Sequence, residues 1–561
     1  MTSATDSSAE LDVERLHGRR AVRRWERVSV GDIFERLTWS YPDKEAIVAW
    51  DGAFADPALQ RVTYREADAL ANRVANALLA HGLERGDRVL LFCENSVEAY
   101  LTKFGIAKAG LTCVPVNPML APDVVGHLIE RARPRFAFVD AVLWPRAEQA
   151  FGAHGITPDV TIEIGGAPVA GSVGFNAFVD GASTEEPDVE IHADDIWEII
   201  FTSGTTALPK GVMVSHNYSY LGAYSFALTL TRGLRIECDL KLCAFLPLIY
   251  HIADQIFSLP AFLAGGTLVI GRGYDPRQIA AAITKERATA LWAGSPAMLS
   301  DLVGVIEREP LTHDIRSLTT AVFGWTAAPP GLVAALKRHA GEQLVLCEIL
   351  GQTEAISCHR FWPDKWIDLF HRTSPEHNYV GVPNPLVAGD VVDDEGRSLR
   401  DRPGVPGEVV YRSPVVTAGY YRDEAATREA FRGGWFHSGD VCEYDEDGLR
   451  IMVDRSKDIV KSGGENVSSL RVEAVLHQHP EVQKAAVVGL PHEQWGEAVT
   501  AFVIVEPGSA PDPDALIAYS RETLAGFEAP KRVVLVDELP VTVGGKVLKY
   551  KLRATHKELY G

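Results

Sequence analysis

Helical segments alternate with short, wholly apolar runs along most of this chain, and this alternation limits the fold more than any other feature. The stretch Thr63-Tyr64-Arg65-Glu66 is a capping box, which opens a predicted helix. The apolar stripe of that helix is formed by Leu70, Val74 and Leu78. Apolar runs at 89–92 and 113–116 follow, separated by a second predicted helix. Because such runs have no polar face, they are typical of buried strands in mostly parallel sheets that helices cover.

At 561 residues the chain is too long for one ordinary domain. Turns and short runs such as Gly407-Glu408-Val409-Val410-Tyr411 predict a small β-rich subdomain. A charged cluster at 454–458 then precedes a stretch with its own helix and strand pattern. We therefore expect an α/β protein whose large N-terminal domain, 29–453, has two helix-covered sheets plus that β-rich subdomain. A hinge at 454–458 and a small α+β C-terminal domain at 459–561 follow, and residues 1–28 are expected to form a disordered tail.

The composition argues against several classes of partner. A formal charge of −20 disfavours nucleic acid and anionic membrane surfaces. No apolar run approaches the roughly eighteen residues of a membrane span, so none is expected. The basic start of the chain lacks the hydrophobic run of a secretory signal. Seven scattered cysteines without a C-x-x-C pair favour reduced thiols and a cytoplasmic location.

The strongest local signal is a loop rich in hydroxyls and glycine at 201–211. Its candidate ligand-binding residues are Thr202, Ser203, Gly204, Thr205, Thr206 and Lys210. Hydroxyls and unencumbered backbone N–H groups can surround phosphate oxygens, and a lysine adds a mobile positive charge. The loop is not a Walker A motif, because no Gly-Lys-Ser/Thr follows at the required spacing. It therefore indicates a polyphosphate site, and the alternative is a flexible surface loop.

This loop resembles the phosphate loop of the adenylate-forming (ANL) superfamily, which includes acyl-CoA synthetases, luciferases and peptide-synthetase adenylation domains. Ala207 stands where the family usually has glycine. Further segments resemble the family's other motifs, and they follow in the family's order: 246–251, 324–329, 350–354, 435–440, 454–467 and 539–546. The resemblance covers roughly residues 30–555, and it implies an acyl-CoA synthetase fold with a mobile C-terminal domain.

The resemblance assigns ATP to residues in four of these segments. The segment that contains Thr326, Ala327, Ala328 and Pro329 would line the adenine and acyl pockets. Gly351, Gln352 and Thr353 would lie at the nucleotide, with Thr353 at the α-phosphate. Glu354 would hold Mg²⁺, for which a hard carboxylate is a suitable ligand. Asp440 would accept hydrogen bonds from the ribose hydroxyls, and Arg455 would contact the ribose or the α-phosphate.

The acyl pocket would be lined by Tyr250, Trp325 and Leu350. Leu350 replaces the usual aromatic residue, and Trp325 stands where family members have a small one. The bulk of both side chains favours a compact or ring-containing acid. His251 is assigned to the pocket side, although its segment is one residue longer than the family's Pro-x-aromatic-His pattern. A hydrogen-bonded core histidine is the alternative for His251.

The C-terminal motifs imply a hinge and a second half-reaction. Lys457 would be the pivot of the hinge. Gly463 and Gly464 would line the tunnel for coenzyme A, since glycine permits close backbone approach. Lys546, which follows a Gly-Gly pair, would be the catalytic lysine that bridges the substrate carboxylate and the α-phosphate. The alternative for Lys546 is a solvated surface lysine.

Together these motifs imply that a carboxylate, ATP and coenzyme A become acyl-CoA, AMP and pyrophosphate through an acyl-adenylate. A plain carboxylic acid is favoured over an amino acid, because 246–251 contains no acidic residue for an α-amine. A separate carrier protein as acceptor, luciferase-type oxidation and a non-catalytic nucleotide-binding scaffold stay open as alternatives. The scaffold would be expected to have lost Glu354, Asp440, Arg455 or Lys546, and all four are present. The oligomeric state, including a homodimer, is left open.

Overall fold

The computed structural model describes residues 24, 27–50, 52–155, 158–166, 169, 171–202, 209–232, 236–541 and 547–560. The fold is α/β, as predicted, with helix-covered mixed sheets followed by a small C-terminal domain. No helix within these described ranges is long and apolar enough to cross a membrane.

The strands are numbered in chain order. They are β1 (Glu45–Trp50), β2 (Arg61–Thr63), β3 (Arg88–Phe92), β4 (Thr112–Pro115), β5 (Phe136–Asp140), β6 (Val160–Ile164), β7 (Val173–Gly174), β8 (Ile196–Thr202), β9 (Lys210–Ser215), β10 (Lys241–Ala244), β11 (Thr267–Gly271), β12 (Ala290–Gly294), β13 (Thr320–Gly324), β14 (Val345–Gln352), β15 (Ala355–Phe361), β16 (Asn378–Pro383), β17 (Ala388–Val392), β18 (Gly407–Arg412), β19 (Phe436–Tyr444), β20 (Arg450–Arg455), β21 (Val460–Ser462), β22 (Glu465–Val467), β23 (Val482–His492), β24 (Gly496–Val505) and β25 (Arg532–Leu535).

The helices are numbered in the same way. They are α1 (Asp32–Ser40), α2 (Tyr64–Ala80), α3 (Val97–Lys108), α4 (Pro122–Ala132), α5 (Trp144–His154), α6 (Phe175–Val179), α7 (His216–Thr231), α8 (Leu259–Leu263), α9 (Pro276–Glu286), α10 (Pro296–Arg308), α11 (Pro330–Ala340), α12 (Ile367–Thr373), α13 (Glu424–Ala430), α14 (Ser469–Leu476), α15 (Pro513–Ser520) and α16 (Lys549–Thr555). A π-helix, Asp254–Ser258, precedes α8.

The N-terminal part contains two large sheets. A seven-stranded sheet has the order β7-β6-β5-β3-β4-β8-β9, and only its β8–β9 pair is antiparallel. A thirteen-stranded sheet has the order β17-β18-β19-β20-β16-β15-β14-β13-β12-β10-β11-β1-β2. Its centre, from β1 to β14, is parallel apart from the edge pair β1–β2. Its central strands β11, β12 and β13 are wholly buried, as continuous apolar runs require.

The β-rich region of 400–450 is joined to the second sheet rather than standing apart from it. Strand β16 pairs with β15 on one side and with β20 on the other. Strands β17 to β20 therefore continue the thirteen-stranded sheet as an antiparallel extension. Because of this extension, side chains of β19 and β20 lie near the end of β14.

The C-terminal part has its own sheet, in which β22, β21, β24 and β23 are neighbours and β25 pairs with β24. Apolar side chains of α14 and α15 pack against it, including Val472 and Leu516. The prediction of a hinge at 454–458 stays a prediction. Its first two residues, Asp454 and Arg455, are the last residues of β20.

Local signals account for several of these boundaries. The capping box at the start of α2 is present, since Thr63 accepts from the N–H of Glu66 and Glu66 accepts from the N–H of Thr63. The next helix, α3, is buried on every side because α2, β4 and aromatic side chains of α1 and α8 pack around it. Two residues of the predicted tail pack against α1: Arg24 pairs with Glu35, and Arg27 pairs with Asp32 at 2.9 Å.

Candidate active site

The predicted phosphate loop joins the antiparallel strands β8 and β9. Thr202 ends β8 and is the register partner of Lys210, which begins β9. The hydroxyl of Thr202 lies 3.4 Å from the carbonyl oxygen of Lys210. The predicted ligands Ser203, Gly204, Thr205 and Thr206 lie outside the described residues. The two strands thus fix both ends of the loop at the edge where the parallel strands end.

Tyr420 brings Lys210 and Glu354 into one cluster. The Nζ atom of Lys210 lies over the Tyr420 ring, 4.8 Å from its centroid, which is a cation–π contact. The Tyr420 hydroxyl donates a hydrogen bond of 2.9 Å to Oε1 of Glu354. The backbone is joined as well, because the N–H of Thr417 donates to the carbonyl of Glu354 at 2.7 Å. The predicted metal ligand and the predicted phosphate lysine are therefore held by one segment.

The end of β14 and the turn that follows it present Gly351, Gln352 and Thr353. The hydroxyl of Tyr218, on α7, donates to the carbonyl oxygen of Thr353 at 2.7 Å. The side-chain amide of Gln352 lies 3.3 Å from the carbonyl oxygen of Ser438 on β19. These contacts hold the turn from two sides, so that its position depends on both α7 and β19.

Asp440 and Arg455 face each other across the β19–β20 ladder. They are register partners, and Nε of Arg455 lies 3.0 Å from Oδ1 of Asp440. Asp440 is only 1% exposed, yet neither of its carboxylate oxygens has a well-directed hydrogen bond within the described part of the chain. A buried carboxylate with unused acceptor capacity is suited to a diol, which would donate two O–H hydrogen bonds.

The charges of this cluster influence one another. Burial raises the pKa of the Glu354 carboxyl, and Arg455 opposes that effect while Asp440 adds to it. The carboxylate of Asp440 raises the pKa of Arg455, and Glu354 contributes in the same direction. Burial lowers the pKa of Lys457 to about 8, and the positive charge of Arg455 assists. The acidic and basic side chains of the site therefore shift one another's pKa values in partly buried surroundings, which is common in active sites.

A divalent cation fits the donor set at Glu354. Within the described residues no group of three or more His, Cys, Asp or Glu side chains could hold a metal alone. Mg²⁺ does not need such a group, because it is usually held by one or two carboxylates together with phosphate oxygens. Glu354, with Oε1 oriented by Tyr420, would supply the protein's carboxylate.

Aromatic side chains line the predicted acyl side. The rings of Trp292 and Trp325 lie 5.7 Å apart, and Trp292 stacks on Phe257 at 4.1 Å. Gly294 separates Leu246 from Trp325, since a Cβ placed there would lie 2.7 Å from Cδ1 of Leu246 and 3.4 Å from Cζ3 of Trp325. The segment at 246–251 and the segment at 324–329 thus meet at the end of β12.

The segment predicted to line the adenine pocket is only partly accessible. Thr326 and Pro329 are exposed, whereas Ala327 and Ala328 are buried. The carbonyl of Ala328 accepts a hydrogen bond from the Ser374 hydroxyl at 2.8 Å, which ties it to the end of α12. Direct nucleotide contact is therefore easier for Thr326 and Pro329 than for the two alanine side chains.

The two pocket-side residues of 246–251 differ in environment. Burial raises the pKa of the Tyr250 hydroxyl. His251 is half-buried, and its Nδ1 accepts the N–H of Ala253 at 3.1 Å. This contact fixes the ring with Nδ1 as acceptor, so the Nε2 atom carries the proton when the ring is neutral. Leu350 is half-buried and packs against the core beneath β15.

Gly463 and Gly464 form the turn of the β21–β22 hairpin. Both have positive φ, 63° and 90°, and they separate the paired residues Ser462 and Glu465. A two-residue hairpin turn with positive φ at both positions favours glycine strongly. Turn geometry therefore explains both glycines, and their role at coenzyme A stays a prediction. Lys546 lies outside the described residues, and Val541 and Val547 on either side of its stretch form an antiparallel bridge.

Three aromatic residues of the site were not identified from the sequence: Tyr218, Trp292 and Tyr420. Tyr420 lies 66 residues from Glu354 in the chain, and Tyr218 lies 135 residues from Thr353. Because both partners are distant in the chain, no local pattern marked either tyrosine. Trp292 lies within the apolar run of β12, two residues before Gly294, and a large ring in that run is the signal that the sequence offered.

Comparison with known proteins identifies the family of the chain. A sequence profile described as AMP-binding enzyme matches residues 34–421, and one described as AMP-binding enzyme C-terminal domain matches residues 471–546. A feruloyl-CoA synthase from Amycolatopsis sp is 31% identical over 498 residues, which are 88% of this chain and 93% of that protein. A fatty acid–[acyl-carrier-protein] ligase, ScoC from Streptomyces coeruleorubidus, is 32% identical and covers 88% and 91% of the two chains.

Among solved structures, the anthranilate CoA ligase AuaEII in complex with anthranoyl-AMP matches with a TM-score of 0.82 and 26% identity. The match covers 95% of this chain and 98% of that one. The fold and the relatives thus define the class, an AMP-forming acid–thiol ligase. The chain belongs to the AMP-binding enzyme family.

Proposed function

We propose that this enzyme converts a carboxylic acid, ATP and coenzyme A into acyl-CoA, AMP and pyrophosphate. The observation that carries the proposal is a set of contacts from Lys210 through Tyr420 to Glu354, together with the Arg455–Asp440 pair, whose charges act on Glu354. It combines two cations, a buried carboxylate with unused acceptors and a carboxylate suited to a cation. This combination matches the phosphates and the ribose of ATP.

In the first half-reaction an oxygen of the substrate carboxylate attacks the α-phosphorus. The new carbon–oxygen–phosphorus link forms as the bond to the β-phosphate breaks, and pyrophosphate leaves with that bond's electron pair. Lys210 and the loop at 202–210 would stabilise the leaving pyrophosphate, and Asp440 would hold the ribose. Arg455 and Lys546 would offset the charge that develops at the α-phosphate. Mg²⁺ bound at Glu354 would supply further charge neutralisation at the phosphates.

In the second half-reaction the thiol of coenzyme A attacks the acyl carbon, AMP leaves, and the thiol proton passes to solvent. We propose that the C-terminal domain turns about Lys457 between the two steps. Lys546 would then leave the site, and the hairpin turn at Gly463 and Gly464 would approach the route of the thiol. One site would thus serve two reactions without a covalent enzyme intermediate.

For the substrate we propose a compact, ring-containing acid. Trp325 is half-buried on the acyl side, and the buried rings of Trp292 and Phe257 pack behind it to form an aromatic wall. Flat rings gain offset or edge contacts on such a wall, which a flexible chain does not match. Two similar proteins are named for ring-bearing acids, feruloyl-CoA synthase and anthranilate CoA ligase. We place the reaction in the cytoplasm, since the cysteines with described side chains are free thiols.

Pyrophosphate release tests the proposal directly. The enzyme would be assayed with ATP and Mg²⁺ against aromatic, alicyclic and steroid side-chain acids and short, medium and long fatty acids, with and without coenzyme A. We expect release with a ring-containing acid, and conversion of the product to a thioester when coenzyme A is present. Absence of release with every acid would favour the non-catalytic scaffold instead.

A carrier protein as acceptor is the second candidate, and the similarity to ScoC favours it. The same assay separates the two acceptors. Pyrophosphate release without a thioester would point to a carrier protein, or to oxidation of the adenylate if oxygen is consumed. A thioester with free coenzyme A would exclude the need for a carrier.

A further inference from the structure

Helix α3 carries two lysines that are wholly buried, and each is held by two carboxylates. The Nζ atom of Lys103 lies 2.5 Å from Oε1 of Glu198 and also contacts the carboxylate of Asp254. The second, Lys108, is held in the same way by Asp68 and Glu186. A buried charge costs several kcal/mol unless it is paired and hydrogen-bonded, so each cluster must serve a specific arrangement of the chain. The two clusters of carboxylates lie in different parts of the fold.

The Lys103 cluster lies directly under the acyl side of the candidate active site. Besides its two carboxylates, Lys103 donates to the carbonyl oxygen of Ile249 at 3.1 Å. Ile249 immediately precedes Tyr250 and His251, and Asp254 begins the π-helix. The ammonium group thus donates hydrogen bonds to Ile249 and to Asp254, both on the segment that carries the pocket residues, and forms an ion pair with Glu198.

That segment has little regular structure of its own. Residues 245–252 form neither helix nor strand, yet Leu246, Leu248 and Ile249 are buried. Buried backbone groups outside helices and sheets need partners from side chains. Asn95 supplies one set, since its amide donates to the carbonyl of Leu246 at 2.9 Å and accepts the N–H of Leu248 at 2.8 Å. Lys103 supplies the next partner, by donating a hydrogen bond to the carbonyl oxygen of Ile249.

The cluster is anchored in the seven-stranded sheet. Glu198 lies on β8, between β4 and β9, four residues before the phosphate loop begins at Thr202. Its other oxygen accepts a hydrogen bond of 2.8 Å from Gln255 of the π-helix. One cation thus connects a central strand with the irregular segment at 246–258.

We propose that Lys103 is a positioning residue for the acyl side of the active site. Through the carbonyl of Ile249 and the carboxylate of Asp254 it fixes the segment that presents Tyr250 and His251. The assignment of an acyl side rests on the proposed function. Lys103 itself does not contact the reacting atoms.

The chain offers matched controls for this proposal. Lys108→Met removes a lysine of the same helix, with the same burial and the same number of carboxylate partners, but its partners, Asp68 and Glu186, lie outside segment 246–258. Glu198→Gln and Asp254→Asn both remove one of two carboxylates that compete for one lysine. Glutamine at 198 keeps an oxygen that can accept the hydrogen bond from Gln255, whereas Asp254→Asn removes the negative charge that the segment itself presents to Lys103. Burial, with the nearby charge of Asp254, raises the pKa of the Glu198 carboxyl, so glutamine there resembles its protonated form.

Steady-state pyrophosphate release would be measured for Lys103→Met, Asp254→Asn, Glu198→Gln and Lys108→Met, with thermal unfolding in parallel. We expect Lys103→Met and Asp254→Asn to raise the KM for the acid and to lower kcat/KM about 10- to 100-fold, as small misplacements of pocket groups do. The KM for ATP should change less than about twofold by the same reasoning. Lys108→Met should unfold at a lower temperature but keep the wild-type KM for the acid and the wild-type kcat/KM. Glu198→Gln should keep the wild-type values of both kinetic parameters.

Hydrogen exchange of the backbone amides at 246–258 gives a readout that does not require activity. We expect faster exchange there in Lys103→Met, and in the isosteric Asp254→Asn should the first variant fold poorly, but not in Lys108→Met. Equal exchange in the Lys103 and Lys108 variants would overturn the positioning role. If exchange differs while the wild type releases no pyrophosphate with any acid, the positioning of the segment stands and the proposed function fails.

Discussion

At the scale of single residues, Tyr420 is the residue that links the charged groups of the site. Its ring lies under Lys210 and its hydroxyl donates to Glu354. Tyr420→Phe keeps the ring and removes one hydrogen bond to a charged acceptor, which is typically worth 1.5–3 kcal/mol. We expect the Mg²⁺ concentration for half-maximal pyrophosphate release to rise about tenfold or more, since about 1.4 kcal/mol corresponds to tenfold.

Tyr421→Phe is the matched control for that experiment. The hydroxyl of Tyr421 makes no hydrogen bond within the described residues, and only the Arg422 guanidinium lies over its ring. Its Mg²⁺ dependence should equal that of the wild type. If both variants behave alike, Tyr420 does not orient Glu354.

A second residue-scale prediction concerns acid stability. His216 is wholly buried, its Nδ1 accepts the N–H of Val30 at 3.1 Å, and burial lowers its pKa to about 4. An unfolded histidine has a pKa near 6.5, so the neutral imidazole stabilises the fold above pH 6.5. This stabilisation is lost as the pH falls from 6.5 towards 4. The loss should amount to about 2 kcal/mol at pH 5 and about 3 kcal/mol below pH 4.

Urea unfolding of wild type and His216→Asn at pH 7.5 and pH 5.0 measures this loss. Asparagine can accept the same N–H and does not titrate, so the variant should lose about 2 kcal/mol less between the two pH values. Equal losses in the two proteins would show that His216 is not the group that titrates.

At the scale of elements, the loop between β13 and α11 sets the shape of the acyl side. Trp325 occupies it with a φ of 72°, a conformation that side chains rarely adopt and glycine adopts easily. Trp325→Gly should relieve this strain, open the aromatic wall and shift preference towards longer or bulkier acids. We expect the ratio of kcat/KM for a long acid to that for a ring acid to rise on the order of tenfold.

The control for that change is Trp325→Phe, which keeps an aromatic ring. Its acid profile should stay close to that of the wild type. An unchanged profile in Trp325→Gly would remove Trp325 from the acyl pocket.

The elements also show how far the sequence alone could predict the structure. Helix α2 and strand β3 follow from local patterns, a capping box and a continuous apolar run, and both are where those patterns indicate. The joining of β17–β20 to the large sheet was not predicted, because it depends on β16, which pairs on both sides with distant segments. The residue pattern of a short antiparallel strand with polar neighbours does not indicate which strands it pairs with.

The same distinction applies to the site. Asp440 and Arg455 are recognisable from their motifs, but their pairing across β19 and β20 is a matter of register. The hydrogen bond from Tyr420 to Glu354 has no sequence signal at all. The motifs identify the charged residues of the site. The neutral groups that orient these residues are positioned by tertiary packing, which the motifs do not describe.

At the scale of the whole molecule, polar contacts join the C-terminal part to the end of β20. The N–H of Ser469, at the start of α14, donates to Oδ2 of Asp454 at 2.7 Å. Arg553 on α16 pairs with Asp458 at 2.8 Å. Such charged and hydroxyl contacts can be exchanged for water more readily than an apolar interface, which suits the domain rotation proposed above.

The prediction that belongs to this scale is a division of labour between the two half-reactions. Lys546→Ala should slow adenylation on the order of 10²–10³-fold, as loss of one transition-state donor does. It should leave thioester formation from supplied acyl-adenylate unchanged, because the lysine is expected to be out of the site in that step. Lys551→Ala, an exposed lysine nearby on α16, should affect neither reaction. Both half-reactions would be followed separately, by pyrophosphate release and by thioester formation. An equal fall in the two rates for Lys546→Ala would mean that the lysine serves one fixed conformation, and the proposed domain rotation would then be wrong.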